Sequence, residues 1–225
     1  MNPQNASTIL TIEMLDLWQA GSGRGAGKHL DSVPVLDAQG LPYLPGRTVK
    51  GLLRDAVWHL ENIDALSPCK EDAPDTSLTV WLFGSRDGLE TADGSTRQTR
   101  YTSTPGKVWV SDARLSPYIR HALADKTATQ AQRAALFHDT FSTAIDGKTG
   151  QAKSQTLRSK RVCVPMVLTA TLETSHTHGL DMIETALPLI DALGSQRTRG
   201  LGRCVWSLER IPQVTSISTS ARNAA

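Results

Sequence analysis

Two basic, glycine-bearing segments carry residue types that suit the binding of phosphate groups. In the first, residues 197–203, arginines are interspersed with Gly200 and Gly202. Glycines allow a backbone to approach a ligand closely, and exposed N–H and guanidinium groups can bind phosphate oxygens. The same composition also occurs in loops that only turn the chain. Taken alone, this segment leaves phosphate binding and a plain turn as open alternatives.

The second segment, residues 41–54, places a Pro-Gly turn directly before a helical pattern. Its apolar residues recur three and four positions apart, which predicts a helix with one buried face. Arg47, Lys50 and Arg54 follow the same spacing, and we expect them to share the opposite face. Because helix N-termini attract anions, this face is a second candidate for phosphate binding, although solvated basic residues are common on amphipathic helices.

Other chemistries lack the patterns that they require. The three cysteines, Cys69, Cys163 and Cys204, form no Cys-x-x-Cys pair, and His176 and His178 have no Cys or acidic cluster beside them. A zinc site is therefore not indicated. The glycine-rich run 21–28 does not end in Gly-Lys-Ser/Thr, which argues against an NTPase. No nucleophile-elbow motif supports Ser-His-Asp catalysis.

Composition predicts a cytoplasmic domain with reduced thiols and no membrane partner. Of the 225 residues, 39% are hydrophobic, which is enough for a core. The first five residues are polar, and no apolar run reaches the roughly 20 residues that a membrane helix needs. The formal net charge of +2 does not by itself indicate nucleic-acid binding, so the local distribution of charge has to carry that argument.

These segments are positioned by a β-α-β-β-α-β order of elements, which predicts an α+β, ferredoxin-like fold with an antiparallel sheet and two helices on one face. Periodicity places strands and helices, in chain order, at residues 7–18, 49–60, 107–115, 162–173, 181–193 and 204–211. Residues 116–139 look helical, and Pro188 predicts a kink or a late start in the last helix. We expect one domain over residues 1–211, with a lid and a thumb as insertions near 61–105 and 116–161, and a disordered tail at 212–225.

Four motifs in this order resemble those of the RAMP superfamily. Residues 41–54 are similar to its Pro-Gly turn and Lys-Gly helix, and residues 81–85 with 106–113 are similar to its Phe-Gly-Ser segment and following strand. Residues 199–202 resemble its C-terminal glycine-rich loop. Residues 143–150 look like the thumb of its backbone subunits in type III CRISPR complexes. The resemblance spans roughly residues 10–210.

The resemblance implies a subunit that polymerises along a guide RNA and inserts its thumb between guide and target. Its partners would be guide RNA, target RNA, copies of itself and other CRISPR effector subunits. Gln19 stands near the position of a family histidine. The residues implied in RNA binding are Gln19, Arg24, Lys28, Arg47, Lys50, Arg54, Arg197, Arg199, Gly200 and Gly202, and those implied in the thumb are Ile145, Lys148 and Lys153.

In several such subunits an aspartate after the first strand cleaves target RNA with a divalent metal, and Asp31 matches it. Each RNA phosphate lies next to a 2′-hydroxyl, so a bent target strand needs little more than positioning and charge stabilisation. The Asp31 carboxylate could hold Mg²⁺ against a phosphate oxygen or take up the hydroxyl proton. A solvated loop aspartate is the plain alternative, and His29 is either an assisting acid or base or a bystander.

The leading hypothesis is thus a metal-dependent endoribonuclease acting within an assembled type III complex. A non-catalytic RNA-binding subunit of the same complex and a guide-processing RNase of the same superfamily remain alternatives. All three require the two glycine-bearing loops and the basic helix to meet at one edge of the sheet. We therefore expect Lys50 and residues 197–203 to lie on the same side of the molecule.

Overall fold

The computed structural model describes residues 6–27, 29–66, 77–85, 103–124 and 130–210. Lys28, the proposed tail at 212–225, much of the predicted insertion at 61–105 and residues 125–129 of the one at 116–161 lie outside the described residues. In chain order the elements are β1 (Ala6–Met14), α1 (Gly46–Asn62), α2 (Leu78–Phe83), β2 (Val108–Val110), α3 (Pro117–Ala124), α4 (Gln130–Ala134), β3 (Phe137–Ser142), β4 (Arg158–Cys163), β5 (Val167–Thr174), α5 (Thr177–Ala186) and β6 (Cys204–Arg210).

Four of the strands form a sheet in the order β2-β5-β1-β6, and every neighbouring pair is antiparallel. The helices α1 and α5 pack against each other, and α1 also contacts β2 while α5 contacts β5. Two helices on one face of this sheet are the split β-α-β arrangement of a ferredoxin-like fold. The predicted fold class is confirmed.

The core lies between this sheet and the two helices. Alternate residues of β1, Leu10, Ile12 and Met14, are buried because successive side chains in a strand point to opposite faces. Helix α1 covers them with residues spaced three and four apart, among them Val49 and Leu53, which are fully buried. Burial of each such aliphatic side chain stabilises the fold by roughly 1.5–3 kcal/mol.

Proline accounts for two boundaries that the sequence pattern misplaces. The helix predicted at 181–193 is α5, which begins at Thr177 and ends before a 3-10 turn at Leu187–Leu189 that contains Pro188. Proline lacks an N–H and its ring clashes with the preceding turn, so the helix cannot continue regularly. The single strand predicted at 162–173 is likewise split into β4 and β5, with Pro165 in the break.

The region predicted as helical at 116–139 is partly strand. Its first part forms α3 and α4, but β3 begins at Phe137 and pairs antiparallel with β4. Residues 137–163 therefore form a two-stranded hairpin, the thumb hairpin, separate from the main sheet. Polar residues occur on both faces of its strands, so no period of two was visible in the sequence.

Candidate functional site

The glycine-rich stretch after β1 folds back on itself as a narrow arm, residues 21–34. Gly21 forms an antiparallel bridge with Pro34, and Ala26 forms one with Leu30. A Cβ atom on Gly25 would lie 2.7 Å from the carbonyl oxygen of Leu30, so only glycine fits there. The stretch is thus a paired arm in the structure, and the glycines allow its two sides to approach closely.

Asp31 is fixed at the tip of this arm against the thumb hairpin. Its backbone N–H donates to the carbonyl oxygen of Ser159 (2.9 Å), and Ser159 N–H donates to Asp31 Oδ2 (2.8 Å). The Ser159 hydroxyl donates to the backbone oxygen of His29. Asp31 is exposed, and Oδ1 accepts no hydrogen bond from any described residue. The arrangement holds one carboxylate oxygen in place and leaves the other available.

The surroundings of Asp31 fit a divalent cation only as a single-carboxylate site. Among the described residues there is no group of three or more His, Cys, Asp or Glu side chains that could hold a metal. Mg²⁺ usually keeps several waters and is bound through one or two carboxylates together with substrate phosphates. The Oδ1 atom of Asp31 can supply one such ligand, and an RNA phosphate would have to supply another.

Gln19 connects the Asp31 region to the second glycine-bearing loop. Its side chain is 1% exposed. The amide nitrogen donates to the hydroxyl oxygen of Ser32 (2.9 Å), and the amide oxygen accepts from the hydroxyl of Ser195 (2.7 Å). Protein groups thus occupy both ends of the buried amide, and the predicted contact between Gln19 and RNA stays a prediction.

Residues 194–203, the Gly-Arg loop, are held against the end of β1 by close backbone contacts. A Cβ on Gly202 would lie 2.0 Å from the Leu193 carbonyl oxygen, and its φ of 78° is in the left-handed region. Gly202 is therefore required by packing. Gly200 also has positive φ but borders open space. Arg197 and Arg199 are exposed in a 3-10 turn beside it, where their guanidinium groups can reach a ligand.

Lys50 and Arg54 lie on a flank of α1 that the fold itself occupies. The Lys50 ammonium donates to the carbonyl oxygen of Val108 (2.9 Å), and the Arg54 guanidinium donates to that of Gly84 (2.8 Å). Burial, and to a lesser degree the Arg54 charge, lower the pKa of Lys50. The expectation of a solvent-facing basic stripe is wrong for these two residues, which join α1 to β2 and to the end of α2.

Lys50 and the Gly-Arg loop do not meet at one edge of the sheet. Val108, the partner of Lys50, lies on the edge strand β2 and aligns through β5 with the first residue of β1. Cys204, which follows the loop, lies on the other edge strand and pairs with Met14, the last residue of β1. The two regions are at diagonally opposite corners of the sheet, so they do not form the single groove that the sequence predicted.

The structure instead brings together the arm, the Gly-Arg loop and strand β4 of the thumb hairpin. Asp31 contacts β4. The Ser32 hydroxyl accepts a hydrogen bond from Gln19, and the Ser32 backbone oxygen accepts one from the N–H of Arg161 (3.0 Å). These hydrogen bonds run from the thumb through the arm to Ser195 at the start of the Gly-Arg loop. The sequence could not reveal this link, because Gln19 and Ser195 are 176 positions apart.

The remaining predicted residues lie in two exposed places. Ile145 is 59% exposed in the connection of the thumb hairpin, where Lys148 and Lys153 are also exposed. Hydrogen bonds from the backbone N–H groups of Lys148 and Thr149 lower the pKa of Asp146 and hold this turn. The sequence analysis missed two further apolar side chains of the hairpin, Phe141 and Leu157, which are 66% and 70% exposed.

Arg24 and Arg47 are the other two exposed cations among the predicted residues. Arg24 belongs to the arm and Arg47 to the first turn of α1, and neither side chain has a partner among the described residues. The first N–H of α1, that of Gly46, is bound by Asp112 (2.9 Å), a cap that the sequence analysis did not identify. No helix among the described residues is both long and apolar enough to cross a bilayer.

Comparison with known proteins identifies the family. A model of the RAMP superfamily matches residues 12–205, so the chain belongs to the RAMP superfamily. No curated protein matches. One similar solved structure is a chain of the type III-B Cmr-beta complex bound to cognate target RNA, with 15% identity and a TM-score of 0.58. The match covers 92% of this chain and 61% of that chain, so this chain spans less than two thirds of the length of its structural neighbour.

Proposed function

We propose that this protein is a guide-RNA-binding backbone subunit of a type III CRISPR effector complex that cleaves guide-paired target RNA at Asp31. The family assignment and the similarity to a chain of an RNA-bound type III-B complex support such a subunit. Its partners would be guide RNA, target RNA, further copies of this chain and other effector subunits.

The observation that carries the catalytic part is the position of Asp31. Its carboxylate is anchored through Oδ2 to Ser159, which lies on β4 near the connection of the thumb hairpin, and it keeps Oδ1 available. A thumb inserted between guide and target would distort the target strand next to Ser159. The carboxylate would then lie where the RNA backbone is bent, which is where in-line attack by a 2′-hydroxyl becomes possible.

Asp31 would act on the 2′-hydroxyl of the bent nucleotide. In this step the 2′ oxygen would form a bond to the adjacent phosphorus, the bond from phosphorus to the 5′ oxygen would break, and the leaving oxygen would take up a proton from water. Asp31 Oδ1 would either accept the hydroxyl proton or hold a divalent cation such as Mg²⁺. In the second case the cation would supply charge stabilisation at a phosphate oxygen.

Binding of the RNA backbone would come from exposed cations on the same part of the molecule. Arg24 on the arm and Arg197 and Arg199 on the Gly-Arg loop have solvent-facing guanidinium groups that can bind phosphates bidentately. Lys148 and Lys153 add charge at the thumb. Such contacts give affinity that depends on salt but little on sequence.

Replacement of Asp31 by Asn in the assembled complex tests the catalytic role. The amide oxygen of Asn can still accept from the Ser159 N–H, so the arm should keep its position while the charge is removed. We expect metal-dependent cleavage of target RNA to fall at least 100-fold, since a general acid–base group contributes about 10²–10⁴-fold. Guide and target binding should stay unchanged. His29→Ala, from the same arm, separates the two interpretations of His29 in the same assay: retained cleavage makes His29 a bystander, and a selective loss makes it an assisting acid or base.

The second candidate is a non-catalytic RNA-binding subunit of the same complex. The absence of a carboxylate cluster among the described residues favours it, since the protein then offers one carboxylate for a metal. Full cleavage by the Asp31→Asn complex, or no cleavage by the unaltered complex with any divalent metal, would select this function. Cleavage of precursor guide RNA instead of target RNA would select a guide-processing RNase.

A further inference from the structure

A groove of about 710 Å³ lies at the β2 edge of the sheet, and Asp31 is not among the residues that line it. One wall is the extended segment that leads into α1, with Tyr43, Pro45 and Arg47, and the other is β2 and the residues after it, with Trp109. The volume falls within the roughly 300–1,000 Å³ that small-ligand sites occupy. No function assigned above uses this groove.

Trp109 is an unusual residue for the edge of a three-residue strand. Its neighbours Val108 and Val110 point into the core, whereas Trp109 is 56% exposed on the other face. Its indole N–H donates to none of the described residues. Among the tryptophans, Trp18, Trp81 and Trp206 are buried, and the half-exposed Trp58 lies outside the groove with its ring edge-on to His59. A large flat apolar surface is thus open to a partner at one place in the groove.

The charges in the groove are unequally compensated. Arg114 forms ion pairs with Asp112 (2.8 Å) and Asp37 (3.3 Å), and its guanidinium lies 4.9 Å from the centre of the Tyr43 ring. Asp112 also binds the first N–H of α1. These groups are satisfied within the fold. Arg47 is exposed and pairs with no acid among the described residues, so it remains as a cation for an anionic ligand.

We infer that this groove binds a nucleotide of single-stranded RNA, with its base stacked on the Trp109 indole and its phosphate on the Arg47 guanidinium. The inference rests on the proposed function, because it assumes that the chain binds RNA, and it adds a stacking site to it. A nucleotide carries a flat π surface and an anion on one unit, which matches the two unsatisfied features of the groove. Aromatic stacking combined with basic side chains is how proteins hold single strands without reading sequence.

A second copy of this chain fits the groove less well. An apolar protein surface would cover the indole but would bury the Arg47 charge without a counter-ion, and burial of an unpaired charge is costly. An acidic peptide would satisfy Arg47 but not the flat surface of Trp109. The RNA nucleotide satisfies both, and a protein occupant is therefore an outcome that the experiment below can reveal.

Intrinsic fluorescence can report stacking at Trp109 directly. The full-length chain, alone and in the assembled complex, would be titrated with a short oligouridylate. We expect the oligonucleotide to quench the tryptophan fluorescence of the Trp58→Phe variant to the same extent as that of the unaltered chain. We expect quenching to be lost in Trp109→Phe. Trp58→Phe is the matched control, because Trp58 is exposed to a similar degree, 50% against 56%.

Affinity measurements by mobility shift complete the test. Since stacking on an aromatic side chain contributes about 1–3 kcal/mol per base, Trp109→Ala should bind roughly 5- to 150-fold more weakly, and Trp109→Phe should bind better than Trp109→Ala. Arg47→Ala should lower the slope of log K against log salt by about 0.7, the value for one phosphate contact on a single strand.

The possible outcomes separate the inference from the proposed function. If the unaltered chain binds RNA and Trp109→Ala binds it equally well, the stacking site is wrong and the proposed function stands. If Trp109→Ala changes self-association but not RNA affinity, the groove is an interface between copies, which also overturns the inference. If neither the chain nor the complex binds RNA, the proposed function itself fails.

Discussion

At the scale of single residues, the buried amide of Gln19 is the contact on which the geometry of the site depends most. Among the described residues it is the one side chain that bonds both to the arm, at Ser32, and to the Gly-Arg loop, at Ser195. Leu30, beside Asp31, is also buried, and the bonds of Asp31 itself run to Ser159. The hydrogen bonds of Gln19 therefore link the arm that carries Asp31 to the loop that carries Arg197 and Arg199.

Replacement of Gln19 by Met tests this role. Met is similar in length but makes neither hydrogen bond, so the hydroxyls of Ser32 and Ser195 lose their partner. We expect the free energy of unfolding to fall by about 1–3 kcal/mol. We also expect the cleavage rate at saturating target to fall more than target affinity does, because Asp31 is displaced while the exposed cations remain. Thermal denaturation and single-turnover cleavage measure the two effects.

The control for Gln19→Met is Ser22→Ala, which removes a hydrogen bond from the Ser22 hydroxyl to the Val33 carbonyl oxygen within the arm. This bond does not reach the Gly-Arg loop. If both variants lose stability, and neither loses cleavage rate more than target affinity, Gln19 only stabilises the fold. Partial recovery of the rate in Gln19→Glu would support positioning, since the carboxylate can accept from both serine hydroxyls.

At the scale of elements, Glu61 at the end of α1 organises the start of α2. Its carboxylate accepts from the backbone N–H groups of Leu78 and Thr79 and from the hydroxyls of Ser77 and Thr79. This joins the two helices across residues 67–76, which lie outside the described part. Burial alone would raise the pKa of Glu61, but these hydrogen bonds outweigh it and the pKa is lowered.

A lowered pKa makes the contribution of Glu61 depend on pH. The stabilisation is fully present above the unfolded pKa, near 4.5, and is lost as the pH falls through the lower folded pKa. We expect Glu61→Gln to melt at a lower temperature than the unaltered chain at neutral pH, and the difference to shrink below about pH 4. Melting curves at several pH values measure this, and a difference that is constant with pH would contradict it. Glu13→Gln, at an exposed strand position, is the control.

The elements also differ in how well the sequence predicted them. The long strands and α1 have clear periods, because one face of each is buried, and they were placed correctly in type. The β3–β4 hairpin was missed because both its faces are partly exposed, so the pattern of residues carries no period. The break between β4 and β5 was signalled by Pro165, a residue that the alternating pattern around it obscured.

At the scale of the whole molecule, the register of the sheet decides which basic residues can act together. Helical spacing places Lys50 and Arg54 on one stripe, but it does not say which neighbours flank that stripe. The structure places β2 and the end of α2 there. Residues far apart in sequence, such as Gln19 and Ser195, converge for the same reason: the antiparallel pairing puts the end of β1 beside the start of β6.

This distribution predicts two different effects of removing positive charge. We expect Arg197→Ala/Arg199→Ala to lower the slope of log K against log salt for single-stranded RNA by about 1.4, two contacts at about 0.7 each, with little change in stability. We expect Lys50→Met to leave the slope unchanged and to lower the free energy of unfolding by about 1–3 kcal/mol, because the Val108 carbonyl loses its donor.

Salt titrations of RNA binding and denaturant unfolding, run on both variants, measure these effects. If the salt dependence of the double arginine variant is unchanged, Arg197 and Arg199 of the Gly-Arg loop do not contact RNA phosphates. A reduced slope in Lys50→Met would restore Lys50 as an RNA contact and contradict the division between the two corners of the sheet.

The chain of bonds through Gln19 has a direction, and this constrains how the protein can evolve. Ser195 donates a hydrogen bond to the amide oxygen, while Ser32 accepts one from the amide nitrogen. A histidine at position 19 could make both bonds with its two ring nitrogens, whereas a group with two acceptors would require the Ser32 hydroxyl to rotate. In homologous chains, positions 19, 32 and 195 should therefore be replaced as a set, with each combination pairing a donor with an acceptor in both bonds.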